Sequence, residues 1–140
     1  MTRVREEIAI AAPPASVWSV MGSPASLAQW HPGIDSSSES NGSRRCTMVG
    51  GGEVTELIVE HSDEDRYYVY AVEGNQFGMV DYQSRIQVEG AGEGSRVVWS
   101  GEFEAARPNT AGRLVEAIAS SYRAGLESLR DKVESATRSN

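Results

Sequence analysis

The stretch DYQSRIQVEGAGEGSRVVWSGEFEA, residues 81–105, alternates between polar and largely apolar side chains on both sides of a glycine-rich turn. This alternation predicts two antiparallel strands, each with one face toward solvent and one toward the interior. The predicted inward positions are Tyr82, Ser84, Ile86 and Val88, then Val97, Trp99, Gly101 and Phe103. Because cores consist mainly of aliphatic and phenylalanine side chains, this mixture favours the wall of a ligand cavity.

The segments before this hairpin predict five further strands and two short helices. RVREEIAIAA is interpreted as the first strand, and the prolines that follow it suit the first turns of helices. IDSSSES, RRCTMV, EVTELIVEH and YYVYAV are interpreted as strands, with Asn41 and Gly42 forming one hairpin turn and residues 50–52 another. Strands connected by such short turns form an antiparallel sheet.

The C-terminal part of the chain changes to a helical period. An apolar stripe with intervals of three or four residues predicts one long amphipathic helix, and its members are Leu114, Ile118, Tyr122, Leu126, Leu129 and Val133. Such a helix must bury its stripe, and the sheet offers the surface for it. The sequence therefore predicts an α+β fold with a seven-stranded antiparallel sheet, two short helices after the first strand and a long C-terminal helix.

Composition and charge limit the kinds of function that we expect for this protein. A length of 140 residues predicts a single domain over residues 1–140. The net charge of −7 disfavours nucleic-acid binding, and the N-terminal segment resembles neither a secretory signal nor a membrane span. The single cysteine, Cys46, favours a reducing compartment. We therefore expect a cytoplasmic protein, monomeric or homodimeric, without stable membrane insertion.

Several segments resemble the SRPBCC superfamily, the START-like group that includes polyketide cyclases and dehydrases. They are IAAPPASVWSVMGSPASLAQWHPGI near the N-terminus, the strands from RRCTMV to YYVYAV, the hairpin quoted above and YRAGLESL in the last helix. The resemblance implies the helix-grip fold, in which a curved sheet surrounds the C-terminal helix. It also implies a cavity between sheet and helix, where members bind lipids, hormones or polyketides and some catalyse cyclisation or dehydration.

Arg45 and Glu56 form the most specific predicted pair. If residues 50–51 form a two-residue turn, Arg45 lies opposite Glu56 on the neighbouring strand. The family resemblance implies that the face they share is the inner one. The pair is then either a structural ion pair or an anchor for a polar group of a ligand, and a structural role is favoured over a catalytic one.

Other candidates combine an inner-face or cavity-mouth position with an aromatic or polar side chain. Alternation directs Tyr68 and Tyr70 inward, and Phe77 suits an apolar lid in the loop GNQFGM. His31 is a candidate acid or base, although an isolated histidine in a loop is more often a surface residue. The complete predicted ligand-binding set is Trp30, His31, Arg45, Glu56, Tyr68, Tyr70, Phe77, Tyr82, Ser84, Trp99, Ile118 and Tyr122.

Three functions follow from this set. The first is binding of a small, largely apolar ligand that is lipid-, polyketide- or aromatic-like. The second is a polyketide cyclase or dehydratase that uses tyrosine, glutamate, arginine or histidine groups of the cavity, without any residue assigned a catalytic role. The third is a regulatory or interaction protein in which the cavity is incidental. No cluster of metal ligands is recognisable, so neither a metal nor another cofactor is expected.

Overall fold

The structure is a computed structural model, and it describes residues 1–74 and 76–138. Seven strands, two short helices and one long helix account for most of them. The strands are β1 (Thr2–Ile10), β2 (Ile34–Ser40), β3 (Ser43–Met48), β4 (Glu53–Ser62), β5 (Tyr67–Val72), β6 (Met79–Ala91) and β7 (Gly94–Ala105). The helices are α1 (Pro14–Met21), α2 (Leu27–Trp30) and α3 (Ala111–Arg138), and short 3₁₀ turns occupy Pro24–Ser26, Gln76–Gly78 and Pro108–Thr110.

All seven strands form one antiparallel sheet in the order β1-β7-β6-β5-β4-β3-β2. Consecutive strands from β2 to β7 pair through short connections, while β1 pairs with β7 and is separated from β2 by the two short helices. The sheet curves around α3, which packs mainly against β1 and β7. The predicted helix-grip fold is confirmed.

The β6–β7 hairpin has the predicted alternation. Ile86 lies opposite Trp99, and Ser84 lies opposite Gly101. The side chains predicted to face inward are all buried, including the polar Ser84, which is 2% exposed. These residues therefore form one continuous inner surface in the middle of the sheet.

The apolar stripe of α3 faces that surface. Five of its members are buried, namely Ile118, Tyr122, Leu126, Leu129 and Val133, whereas Leu114 near the start of the helix is half-buried. Leu126, Leu129 and Val133, in the C-terminal half of α3, are at most 2% exposed and belong to the hydrophobic core.

The predicted register between β3 and β4 is wrong by one residue. The Met48 amide donates to the Gly52 carbonyl, 2.9 Å away, so the turn contains three residues rather than two. Arg44 consequently lies opposite Glu56, while Arg45 lies opposite Thr55. Since a shift of one residue exchanges the two faces of a strand, Arg44 takes the inner position that was predicted for Arg45.

Arg45 instead points into solvent. Its side chain is 70% exposed and lies 3.7 Å from the carboxylate of Glu53. Cys46, the next residue, shares the inner face with Arg44 and is fully buried. Arg45 is therefore removed from the candidate site, and Arg44 replaces it.

Candidate functional site

A cavity of about 150 Å³ lies between the inner face of the sheet and the N-terminal half of α3. Eight of the predicted ligand-binding residues line it: His31, Glu56, Tyr70, Phe77, Tyr82, Trp99, Ile118 and Tyr122. The wall is completed by residues that were not in the predicted set: Leu27, Ile34, Met48, Val54, Val72, Met79 and Ser121. Most of the latter are aliphatic side chains or methionines, which look like ordinary core residues in a sequence.

Hydrogen bonds connect the aromatic and polar side chains of β5, β6, β7 and α3 in a group that we call the tyrosine network: Tyr70, Tyr82, Ser84, Trp99 and Tyr122. The Ser84 hydroxyl donates to the Ser100 carbonyl at 2.9 Å, so it accepts from the Tyr122 hydroxyl, also at 2.9 Å. Tyr122 in turn accepts from the Tyr82 hydroxyl. The network therefore has one direction, from Tyr82 through Tyr122 and Ser84 to a backbone carbonyl.

Trp99 joins this network from the side. Its indole Nε1 donates to the Ser84 hydroxyl at 3.0 Å and to the Tyr70 hydroxyl at 3.2 Å. Its ring stacks on Tyr122 with a centroid distance of 4.4 Å and an interplanar angle of 9°. Because Tyr70 and Tyr82 occupy the ends of the network and line the cavity, a ligand can extend it there.

The tyrosine network explains why residue 101, on the inner face of the sheet, is a glycine. A Cβ atom at Gly101 would lie 2.5 Å from the Tyr122 hydroxyl and 3.4 Å from the Tyr82 hydroxyl. Both hydroxyls are held by hydrogen bonds, so neither can move away without losing a partner. The unusual mixture of glycine, serine, tryptophan and tyrosine in residues 81–105 thus has a structural reason.

Burial keeps the tyrosine hydroxyls protonated. Loss of hydration raises the pKa of Tyr70, Tyr82 and Tyr122 well above the ordinary value, and neighbouring tyrosines raise it further. At neutral pH these groups therefore act as hydrogen-bond donors and acceptors rather than as bases.

A buried ion pair supplies the charged part of the site. The Arg44 Nε donates to Glu56 Oε1 at 2.6 Å, and its Nη1 donates to the Pro24 carbonyl at 3.0 Å and the Tyr68 hydroxyl at 3.1 Å. The guanidinium lies 4.7 Å from the ring centroid of Tyr70. Arg44 is fully buried and does not line the cavity, whereas Glu56 does. Arg44 therefore positions the carboxylate that a ligand would meet.

The electrostatics of the pair keep Arg44 charged. Burial by itself lowers the pKa of Arg44, but Tyr68 and Glu56 raise it above its usual range. Cys46 lies beside the pair, with Sγ 3.8 Å from Glu56 Oε1. Burial raises the pKa of this thiol to about 11, so Cys46 is protonated and is not a nucleophile at neutral pH.

His31 is a structural residue that connects α2 with α3. Its Nδ1 accepts from the Gly33 amide at 2.9 Å, so its Nε2 carries the proton and donates to the Ser121 carbonyl at 2.9 Å. The ring also contacts Trp99 edge-on, with centroids 5.9 Å apart. Since both nitrogens are occupied by the fold, His31 has no free nitrogen for proton transfer to a ligand.

We expect His31 to make stability depend on pH. Burial lowers its pKa from the ordinary 6.5, so the unfolded chain binds the proton more readily than the folded one. Stability should therefore fall as the pH drops below about 6.5, by at most about 1.4 kcal/mol per pH unit for this one group. Urea denaturation at several values between pH 5 and pH 8 measures this slope.

The variant His31→Gln removes the titrating ring, so its stability should change less over the same pH range. His61→Gln, in which the other, half-exposed histidine is removed, is the matched control. A wild-type slope in His31→Gln would show that another group causes the dependence.

Three further residues of the predicted ligand-binding set do not line the cavity but lie behind the side chains that form its wall. Trp30 is 2% exposed and packs against Trp99, with centroids 5.6 Å apart. Tyr68 is 1% exposed and bonds to Arg44. Ser84 supports Tyr122 from within the sheet. These three residues support the side chains that line the cavity.

Phe77 and Met79 form part of the rim. Phe77 is 52% exposed and still lines the cavity, so it stands between the cavity and solvent. Its φ of 65° is unusual for a bulky residue, and the flanking Gly74 and Gly78 also have positive φ angles. This segment matches the predicted location of a lid, and its movement remains a prediction.

The sequence pattern of a family described as polyketide cyclase/dehydrase and lipid transport matches residues 1–134. The chain belongs to this family. No curated protein matches the sequence. Within residues 1–74 and 76–138, no helix is long and apolar enough to cross a membrane, and no three His, Cys, Asp or Glu side chains are grouped to hold a metal.

Several solved structures resemble this protein over nearly the whole length of both chains. The protein XoxI from Bacillus cereus is 28% identical with a TM-score of 0.89, covering 95% of this chain and 96% of its own. An uncharacterized protein from Bacillus thuringiensis is also 28% identical, with a TM-score of 0.84 and coverage of 94% and 98%. The Zhui aromatase/cyclase from Streptomyces sp. R1128 is 18% identical, with a TM-score of 0.76 and coverage of 94% and 93%, and shows the common fold.

Proposed function

We propose that this protein binds a small, largely apolar molecule carrying at least one hydroxyl or carbonyl group. The observation that carries the proposal is the wall of the cavity, which is apolar apart from a few convergent polar groups. Glu56 and the Tyr82 hydroxyl can accept a hydrogen bond from a ligand hydroxyl, because Tyr82 already donates its proton to Tyr122. The Tyr70 hydroxyl accepts from Trp99 and can donate to a ligand carbonyl. Such a small number of fixed polar groups in an apolar wall orients a ligand by its polar end.

The volume favours an aromatic ligand over the lipid-like and polyketide-like alternatives. A cavity of about 150 Å³ holds roughly one benzene-sized ring. Pockets for larger ligands usually measure roughly 300–1,000 Å³. A bicyclic or longer molecule therefore requires the rim at Phe77 and Met79 to open, or part of the ligand to remain outside.

A cyclase or dehydratase is the second candidate, and the family description supports it. A general acid and a general base must converge on one substrate. Glu56 could supply the base and the protonated Tyr70 hydroxyl the acid, since both line the same cavity and Tyr82 already donates its proton to Tyr122. His31 is excluded from this role by its two hydrogen bonds to the backbone. Binding requires only the cavity, so it is the function proposed first.

A fluorescence titration with N-phenyl-1-naphthylamine tests the proposal, together with native mass spectrometry of the purified protein. We expect saturable binding of the probe at one site, and a small molecule retained from the cell in the mass spectrum. Val72→Trp places a large ring at the wall of the cavity and should weaken probe binding roughly tenfold or more.

Val98→Trp is the matched control, because Val98 lies between the inward Val97 and Trp99 and faces the outer side of the sheet. Its affinity for the probe should equal that of the wild type. Equal binding by Val72→Trp and the wild type would refute the cavity as the binding site. If a retained molecule is identified, its conversion by the wild type and not by Glu56→Gln would establish the enzymatic alternative.

A further inference from the structure

A second concave surface adjoins the cavity at its rim. This cleft, of about 290 Å³, lies between Phe77 and the beginning of α3, and its walls include Arg107, Thr110, Arg113 and Leu114. Phe77 lines both the cleft and the cavity. On α3, Leu114 of the cleft and Ile118 of the cavity are four residues apart and thus lie on one face of the helix. The two spaces are therefore neighbours, with Phe77 between them.

The cleft carries positive charge that the protein does not neutralise. Arg107 and Arg113 are exposed, and the ion pairs found within residues 1–74 and 76–138 include neither of them. The nearest acidic residues in the sequence are engaged elsewhere: Glu104 pairs with the N-terminal ammonium at 3.3 Å and Glu116 with Arg123 at 3.6 Å. In a chain with a net charge of −7, these two arginines concentrate positive charge beside the cavity rim.

The cavity itself is unsuited to an anionic group. Glu56 places a carboxylate in its wall, and the positive partner Arg44 does not line the cavity. A second carboxylate in the cavity would lose its hydration and be repelled by Glu56. A ligand that has both an apolar part and an anionic group can therefore enter only with the anionic group outside.

We propose that the cleft binds the oxyanion group, a carboxylate or sulfonate, of an amphipathic aromatic ligand whose ring occupies the cavity. The inference rests on the proposed function and names the ligand class for the same site. Arg107 and Arg113 bind the oxyanion through charged hydrogen bonds, which their planar guanidinium groups suit. Phe77 contacts the ligand where it passes from the cleft into the cavity. Because the cleft adds its volume beside the cavity, a ligand larger than one ring can occupy both spaces.

Two fluorescent probes that share one aromatic frame test this inference. 8-Anilinonaphthalene-1-sulfonate differs from N-phenyl-1-naphthylamine by a single sulfonate group. We expect the wild type to bind the sulfonate roughly tenfold more tightly than the neutral probe, from two partly exposed charged contacts. The variant Arg107→Gln/Arg113→Gln should lose this preference and keep its affinity for the neutral probe. Raising the NaCl concentration from about 50 to about 500 mM should likewise weaken only sulfonate binding.

Arg5→Gln/Arg45→Gln is the matched control, because it removes two exposed arginines on other parts of the surface. This variant should keep the preference for the sulfonate. If the control variant loses that preference, the cleft is not the anion site. If the wild type binds both probes equally, the cleft proposal is wrong and cavity binding stands. If the wild type binds neither probe and native mass spectrometry finds no retained molecule, the proposed function is wrong and the inference that rests on it is wrong too.

Discussion

Arg44→Met should destabilise the protein by about 3–5 kcal/mol at neutral pH, because it leaves the carboxylate of Glu56 buried without its positive partner. The wild-type ion pair is almost completely inaccessible, with Arg44 fully buried and Glu56 7% exposed. The substitution also removes the hydrogen bonds to the Pro24 carbonyl and the Tyr68 hydroxyl. Urea denaturation, with tryptophan fluorescence and circular dichroism compared, measures the loss.

Arg45→Met is the matched control for this prediction. Arg45 is the next residue, but its side chain is 70% exposed and its ion pair with Glu53 is solvated. The free energy of unfolding should therefore change by less than about 0.5 kcal/mol. A larger loss in Arg45→Met than in Arg44→Met would contradict the register between β3 and β4.

Two substitutions of Glu56 complete the experiment. Glu56→Gln should cost about 1–3 kcal/mol, since it leaves Arg44 with an uncharged partner. If Arg44→Met is too unstable to purify, Arg44→Met/Glu56→Leu should restore the fold, because replacing both charges by apolar groups is often nearly neutral. Failure of that double variant to fold would show that the polar contacts of Arg44 matter for more than charge balance.

Gly125→Ala should destabilise the protein by about 1–3 kcal/mol, although alanine is the better helix former by about 1 kcal/mol. A Cβ atom at this position of α3 would lie 2.5 Å from the His31 ring and 3.0 Å from Trp99. His31 cannot move aside without losing its hydrogen bonds to Gly33 and Ser121. The overlap is therefore relieved only at the cost of the contact between α2 and α3.

Gly112→Ala in the first turn of the same helix is the control. A Cβ atom there would meet no other atom within 4 Å, so the substitution should leave stability unchanged or raise it by up to about 1 kcal/mol. Chemical denaturation of both variants under one set of conditions compares them directly. Equal effects in the two variants would indicate that packing against His31 has no energetic importance.

The local pattern of the sequence determined the elements and most of the inner face. Alternation in residues 81–105 identified the buried side of β6 and β7, including Ser84 and Gly101, because a strand has only two faces. The interval of three to four residues after Leu114 identified α3 and its buried stripe in the same way. Family resemblance then supplied the relative placement of sheet and helix, which no local pattern contains.

The sequence patterns did not predict which groups form hydrogen bonds with each other. His31 looked like a surface residue or an acid, and only the approach of α3 shows that Gly33 and Ser121 occupy both of its nitrogens. The direction of the tyrosine network likewise depends on distances between side chains on different strands. Positions of this kind are defined by contacts between residues far apart in the chain.

The register between β3 and β4 shows most clearly which features the sequence predicts and which depend on tertiary contacts. Three consecutive glycines, residues 50–52, allow a two-residue or a three-residue turn, and the two choices place different arginines on the inner face. Either turn places an arginine opposite Glu56, because Arg44 and Arg45 are consecutive. Only the folded chain shows that it is Arg44, whose Nη1 donates to the buried carbonyl of Pro24 and to the hydroxyl of Tyr68, because a buried charge requires such hydrogen bonds.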